Sequence, residues 1–321
     1  MAEARPKIAV LDDYQGAALR MADWSRLDGR ADVTVFHDHL ADFEPLVARL
    51  APFDALCVMR ERTPMSRALI ERLPRLKLIA STGPRNASID LQAAADHGVG
   101  VVHTGYKSEP TVELTWALIL AGARHLVAES ASVRGGGWQV GVGDDMGGAT
   151  LGLLGLGNVG ARVAKVGLAF GMKVIAWSQN LTDEKAAAQG ATRVSKEELF
   201  GQADVLSVHL VLSGRTRGLV GAGELALMKP TARLNTSRGP IVDEAALIAA
   251  LREGRIAGAA IDVFDQEPLP ADHPYRSLPK LLATPHIGYV SRDLYRTFYG
   301  DTVAQLLRWL DAGAGRPTAS T

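Results

Sequence analysis

Late in the chain, an arginine, a carboxylate and an imidazole occur in three short segments. These are Asn235-Thr236-Ser237-Arg238-Gly239-Pro240, Asp262-Val263-Phe264-Asp265-Gln266-Glu267-Pro268 and Thr284-Pro285-His286-Ile287-Gly288. Each follows an apolar run that reads as a strand, so each is predicted just beyond a strand C-terminus, where open α/β sheets bind ligands. Converging there, the three side chains make a working set for carbonyl reduction. The Arg238 guanidinium can hold a carboxylate and polarise a carbonyl. The His286 imidazole can give or remove the hydroxyl proton, and Glu267 can orient that ring and favour its protonated form. Taken singly, Arg238 reads equally as a structural ion-pair partner, and Glu267 as a solvated turn residue before Pro268.

Gly155-Leu156-Gly157-Asn158-Val159-Gly160 is a GxGxxG. The strand TLGLL precedes it, the apolar helix ARVAKVGLAFG follows, and a second strand MKVIAW comes next. In such a βαβ unit the glycines allow a tight turn and bring backbone amides close to a pyrophosphate at the helix N-terminus. A helix–strand crossing that merely needs small residues is the competing explanation. After the second strand an Asp or Glu would accept from the adenosine ribose. This chain has Ser178-Gln179-Asn180 there, and the nearest following base is Lys185. An acid would repel a 2′-phosphate, so its absence leaves NAD or NADP open, with a lean to NADP or dual use.

These groups need two series of alternating strands and helices to position them. Lys7–Leu11, Val33–Phe36, Ala55–Met59, Leu76–Ser81 and Val99–His103 read as strands, with helical segments such as Ser66–Arg72 and Leu91–Asp96 between them. A long helix is predicted from about Pro110 to Glu129, then a Gly-rich loop over Gly135–Gly148. A second series follows at Thr150–Leu154, Lys173–Trp177, Val205–His209, Ala232–Thr236, Gly258–Val263 and Leu281–Ala283. Such alternation implies doubly wound parallel sheets covered on both faces. The length, 321 residues, suits two domains at roughly 100–200 residues each. The expected division is 1–103 plus 289–321 for a substrate domain and 104–288 for a dinucleotide-binding domain. The tail from Ala312 is expected to fray.

With GLGNVG, HLVLSGRTRGLVG, NTSRGPIVDEAAL, LREGRIAGAAIDVFDQEPLP and TPHIGYVS in this order, the sequence resembles the D-isomer-specific 2-hydroxyacid dehydrogenases over nearly its whole length. The resemblance implies a Rossmann-type cofactor domain inserted into a flavodoxin-like substrate domain. It implies hydride transfer between NAD(P)(H) and C2 of a 2-hydroxy or 2-keto acid. It makes Arg238, Glu267 and His286 catalytic, with Arg238 also holding the substrate carboxylate. It places Thr236 and Asp262 beside the cofactor, together with Gly155, Gly157, Asn158, Val159, Gly160, Ser178, Gln179 and Asn180. It also implies a homodimer with the helix near Pro110 in the interface. In the substrate loop, Thr82-Gly83-Pro84-Arg85-Asn86, Arg85 stands where the family commonly has a second glycine. Gly83, Pro84, Arg85 and, from the neighbouring strand, Arg60 are the expected substrate contacts, one arginine reading a second polar or anionic group. The alternative for both arginines is a surface pair with Glu61 or Asp90, contributing roughly 0–1 kcal/mol. An alternative for the whole chain is a dinucleotide-sensing regulator on the same scaffold, like the C-terminal-binding-protein corepressors.

Composition narrows the classes further. Thirty-five Lys+Arg balance 35 Asp+Glu, which argues against a broadly basic nucleic-acid surface. One cysteine, Cys57, rules out an intramolecular disulfide framework and fits a reducing compartment. MAEARPKIAVLDD carries charges where a signal peptide needs an apolar core, so a cytoplasmic protein with no membrane partner is expected. No metal site is expected: His37-Asp38-His39 lacks a third ligand at recognisable spacing and reads as a solvated strand end. Ser237 lacks a nucleophile-elbow context, which argues against hydrolase chemistry. His209 ends a strand, at a place that suits either packing or the cofactor's neighbourhood. Tyr289, Tyr295 and Tyr299 have helical spacing that suits packing, with Tyr289 able to edge a pocket.

Overall fold

Short runs of aliphatic and small residues, apolar at consecutive positions, form strands that are covered on both faces. The computed structural model describes residues 4–236 and 239–314. The first series is β1 (Lys7–Val10), β2 (Asp32–Val35), β3 (Ala55–Val58), β4 (Leu78–Ser81) and β5 (Gly100–His103), of which the edge strand β2 alternates exposed and half-buried residues. All pair in parallel, in the order β2-β1-β3-β4-β5. Every residue of β3 and β4 is buried. The order is the flavodoxin-like one, with its reversal between β1 and β3. The chain returns to this unit in the helix Arg292–Asp311, whose Leu294, Phe298 and Leu306 are fully buried. Tyr295 and Tyr299 lie on it as buried packing residues, and the Tyr299 ring meets Trp24 at 6.3 Å.

The second series gives β6 (Thr150–Leu154), β7 (Lys173–Trp177), β8 (Thr192–Arg193), β9 (Val205–Val208), β10 (Arg233–Thr236), β11 (Gly258–Ile261) and β12 (Leu281–Ala283). Their order is β12-β11-β10-β9-β6-β7-β8, again all parallel. Winding reverses between β6 and β9, as in a Rossmann sheet. The chain divides into two compact units, Met1–Lys107 with Val290–Thr321, and Ser108–Tyr289. The second is therefore inserted into the first, with its crossings at Lys107/Ser108 and Tyr289/Val290.

Caps start the helices where side chains supply the missing acceptors. Asp90 accepts from Ala93 N at 2.8 Å, Asp243 from Ala246 N at 2.8 Å, and Ser195 with Glu198 forms a capping box. One expectation needs correction. The long helix does not run unbroken to Glu129: it spans Glu109–Ala123, and a second begins at Leu126 and ends at Arg134. His125 between them takes a left-handed φ of +51°, which ends the first helix, although no glycine or proline marks the break. The two-residue edge strand β8 is too short to have a sequence signature.

The helix Glu109–Ala123 buries Val112, Trp116 and Ile119 in the same core as Leu151 and Leu153 of β6. At the centre of β6, Gly152 leaves no spare room. A Cβ there would stand 2.7 Å from Ala203 Cβ and 3.2 Å from Leu206 Cδ1. Gly152→Val should therefore lower the unfolding free energy by about 1–3 kcal/mol, read as a lower denaturation midpoint.

Candidate active site

His286 sits on the loop that leaves β12. The backbone turns back on itself there, with His286 N donating to Thr284 O at 3.0 Å and φ of His286 at +53°. A non-glycine residue in the left-handed region must be held by its surroundings. The holding group is Asp262, immediately after β11. Its buried carboxylate accepts from Thr284 Oγ1 at 2.6 Å, from Ile287 N at 2.8 Å and from Gly288 N at 2.7 Å. The two amides belong to the residues directly after His286. Thr111 Oγ1 donates to Gly288 O at 3.2 Å, tying the same loop to the first turn of the helix Glu109–Ala123. Burial raises the Asp262 carboxyl above the ordinary carboxylate range, against the pull of those donors and of the His286 charge.

His286 Nδ1 lies 2.6 Å from Glu267 Oε2. An ionised carboxylate only accepts, so Nδ1 carries hydrogen toward Glu267 and Nε2 is left to exchange a proton. Glu267 is itself aimed by Phe264 N, which donates to Oε1 at 2.9 Å. Tyr289 stands edge-on to the imidazole, with ring centroids 5.3 Å apart. Gly239 lies so close to the Glu267 loop that a Cβ there would be 2.3 Å from the Phe264 carbonyl carbon. Glu267 and His286 are therefore brought together, on loops beyond β11 and β12. Ser237 and Arg238 lie outside the described residues. Thr236 closes β10, the strand that leads to them.

The glycine turn follows β6, and Gly157 caps the helix Asn158–Ala169. The first intrahelical bond runs from Ala161 N to Gly157 O at 2.8 Å, so the amides of Asn158, Val159 and Gly160 have no acceptor within the helix. Gly155 has φ +105° and would drive a Cβ to 2.8 Å from His209 O. A Cβ on Gly160 would stand 2.2 Å from Gly155 O, whereas one on Gly157 would meet nothing within 4 Å. Two glycines thus serve internal packing, and the middle one keeps open the space over three amides that have no acceptor within the helix. That cradle fits a dinucleotide pyrophosphate. Asn158 Nδ2 donates to Ser108 Oγ at 3.2 Å. Ser178, Gln179 and Asn180 follow β7, where Leu181 N donates to Ser178 O at 3.1 Å.

His209 follows β9, beside the glycine turn at the sheet's reversal point. Nε2 lies 2.8 Å from Ser207 Oγ, and Nδ1 is buried with no hydrogen-bond partner among the described residues. Burial pushes the imidazole down to about 4, so the ring is neutral.

In the other unit, Gly83, Pro84 and Arg85 form the turn beyond β4, and Arg60 lies beyond β3 with φ +52°. Arg60 Nη2 pairs with Glu61 at 3.3 Å, and the Arg85 side chain is exposed. Farther along that sheet, His39 Nδ1 meets Asp12 Oδ1 at 2.9 Å and His37 Nδ1 meets Asp13 O at 2.9 Å. Among the described residues no group of three or more His, Cys, Asp or Glu could hold a metal ion, and no helix is long and apolar enough to cross a membrane. Sequence reasoning gave no role to Thr111, Thr284 or the Phe264 amide. These partners are far apart in sequence or act through backbone, and neither leaves a motif.

The profile described as D-isomer specific 2-hydroxyacid dehydrogenase, NAD binding domain, matches residues 116–288. A glyoxylate reductase of Aeropyrum pernix is 38% identical over 302 residues, covering 90% of this chain and 88% of that protein. A D-3-phosphoglycerate dehydrogenase of Methanocaldococcus jannaschii is 36% identical over 83% of this chain, which spans only 52% of that longer relative. The crystal structure of a phosphoglycerate oxidoreductase from Vibrio cholerae superposes with a TM-score of 0.92 at 38% identity, covering 96% of this chain and all of that one.

The neutral, buried His209 has a consequence for stability. Its ordinary value is 6.5 and its folded value about 4, so between these two pH values the unfolded chain takes up a proton that the folded chain refuses. Its contribution is complete above pH 6.5 and is lost as pH falls toward 4. One such group adds up to about 1.4 kcal/mol per pH unit to the slope. His209→Asn, compared with the native chain by urea unfolding across that window, should flatten the slope.

Proposed function

The chain belongs to the D-isomer-specific 2-hydroxyacid dehydrogenase family, and from that premise we propose that it interconverts a small 2-keto acid and its 2-hydroxy acid. The observation that carries this reading is the His286–Glu267 pair, at 2.6 Å, on the loop clamped by Asp262. When bound, a nicotinamide dinucleotide supplies a hydride to C2 of the keto acid, or accepts one from the hydroxy acid. The amides of Asn158, Val159 and Gly160 would hold its pyrophosphate, and Ser178, Gln179 and Asn180 its adenosine ribose. Thr236 and Asp262 would complete the surroundings of its nicotinamide end.

In the reducing direction, His286 Nε2 gives a proton to the carbonyl oxygen as C2 is reduced. Glu267, 2.6 Å from Nδ1, keeps the imidazole oriented so that Nε2 faces the exchange. Arg238 would hold the substrate carboxylate and polarise the carbonyl. In the oxidising direction His286 takes the hydroxyl proton. Gly83, Pro84 and Arg85 complete the substrate's surroundings. With no carboxylate among Ser178, Gln179 and Asn180, the site does not repel a 2′-phosphate, which supports NADP or dual use. A cytoplasmic enzyme fits the single buried cysteine, whose thiol burial pushes up to about 12.

A homodimer is part of the same reading. Residues 126–142 expose Leu126, Val127, Val133, Trp138, Val140 and Val142, with Trp138 74% and Val142 93% accessible. Beside them lies an apolar groove of about 380 Å³ lined by Leu118, Ile119, Ala260 and Leu282 among others. Clustered exposed apolar groups of this kind mark an association surface. Light scattering is expected to give twice the chain mass, and Trp138→Asp with Val142→Asp the mass of one chain.

The test of the activity is a matrix of NADH and NADPH against glyoxylate, pyruvate, hydroxypyruvate, phenylpyruvate and a phosphorylated keto acid. His286→Ala should lower turnover by roughly 10²–10⁴ while leaving dinucleotide binding intact. Unchanged turnover ends the assignment, and a strong NADH preference ends the cofactor lean.

A further inference from the structure

Arg60 is the more buried of the two arginines expected at the substrate. Its side chain is 12% exposed, and its donors are turned inward. Nη1 donates to Thr82 O at 3.1 Å and to Arg85 O at 3.3 Å, while Nη2 pairs with Glu61 Oε1 at 3.3 Å. The two carbonyls bracket Gly83-Pro84, so one guanidinium spans the turn from end to end. The Arg60 backbone takes part as well: its N–H donates to Thr82 Oγ1 at 2.8 Å, and its carbonyl accepts from Asn86 Nδ2 at 2.6 Å. The Tyr106 ring lies 5.6 Å from the guanidinium carbon.

Gly83 is matched to this arrangement. Its φ is +80°, and a Cβ there would stand 1.9 Å from Arg60 Nη1. Its amide donates to Thr104 Oγ1 at 2.7 Å. A left-handed arginine, a left-handed glycine beside it and four hydrogen bonds from Arg60 or to it through Thr82, Arg85 and Asn86 form one interlocked unit. The planar fork of an arginine suits two carbonyls at fixed separation in a way that a lysine does not. Glu61 offsets the charge.

We propose that Arg60 is a positioning residue: it holds the 82–86 turn in shape and reads no charge on the substrate. The proposal rests on the reading above that Gly83, Pro84 and Arg85 border the substrate. The turn then presents Pro84 and Arg85 in one arrangement, and loss of the strut weakens every keto acid alike.

The test uses the full chain with saturating reduced dinucleotide, and with pyruvate, glyoxylate and a phosphorylated 2-keto acid as probes. Arg60→Ala, Arg60→Lys and Gly83→Ala are compared by KM, kcat and hydrogen exchange of the amides at 82–88. Gly83→Ala and Arg60→Lys keep the charge, the first by displacing the guanidinium and the second by replacing it. All three variants should raise KM by the same factor for singly and multiply charged acids, roughly tenfold or more, with faster exchange in the turn. A KM loss confined to the phosphorylated acid, with Arg60→Lys spared, overturns the proposal, as does unchanged exchange in Arg60→Ala. Faster exchange with unchanged KM for every acid upholds the strut and overturns the placement of the turn beside the substrate.

Discussion

A carboxylate taken out of water must find donors, and those donors then have nowhere else to go. Asp262 is that group in the cofactor unit. Its three acceptor contacts reach the hydroxyl of Thr284 and the amides of Ile287 and Gly288, and so surround His286 in sequence. Without them, a histidine at φ +53° would relax toward an ordinary conformation and Nδ1 would leave Glu267. The placement of the Glu267–His286 pair therefore depends on a residue whose hydrogen bonds go to Thr284, Ile287 and Gly288. Burial, which raises the Asp262 carboxyl, strengthens the dependence, because a carboxylate deprived of these donors would be left buried and unpaired.

Close approach of backbone imposes a second constraint, and it falls on two glycines above the others. Gly160 lets the helix N-terminus close on Gly155, beside the open face of Gly157 and three amides with no acceptor within the helix. Gly239 lets the segment after β10 come within van der Waals contact of the Phe264 carbonyl, next to the amide that aims Glu267. Both permit a contact that any Cβ would prevent. They differ in what they serve, the first the close turn at a helix N-terminus and the second the orientation of a carboxylate.

Local signals carried the strands and the chemical groups. Continuous apolar runs such as ALCV and LIAS marked β3 and β4, and GLGNVG with its flanking strands marked the turn after β6. Glu267 and His286 were legible because each follows a strand. Neither the 2.6 Å contact nor its support by Phe264 N and Asp262 could be read, since these depend on how the loops beyond β11 and β12 fold against each other. The break at His125 was missed for a related reason: a left-handed histidine is set by tertiary surroundings, and the apolar pattern runs through it. At Arg60 the sequence suggests a substrate contact or a surface pair with Glu61 or Asp90. The guanidinium pairs with Glu61 and, with no local pattern to announce it, also satisfies carbonyls of its own unit.

Left-handed residues other than glycine are uncommon, and three of them stand just beyond strands: Asp12 after β1, Arg60 after β3 and His286 after β12. Each is held by hydrogen bonds that leave it little freedom. Asp12 accepts from Thr63 Oγ1 at 2.6 Å and through its carbonyl from Arg62 Nη1 at 2.6 Å. Arg60 is fixed through Thr82 and Asn86, and His286 through its neighbours' bonds to Asp262. A strand end that simply continued would send the next side chain along the sheet. A left-handed residue turns the chain sharply and changes where the following amides point. In both units the cost of that conformation, of order 1–3 kcal/mol per residue, falls at the carboxyl edge of a parallel sheet. That is the edge at which parallel sheets bind their ligands. The strain therefore falls on the turns that form that edge.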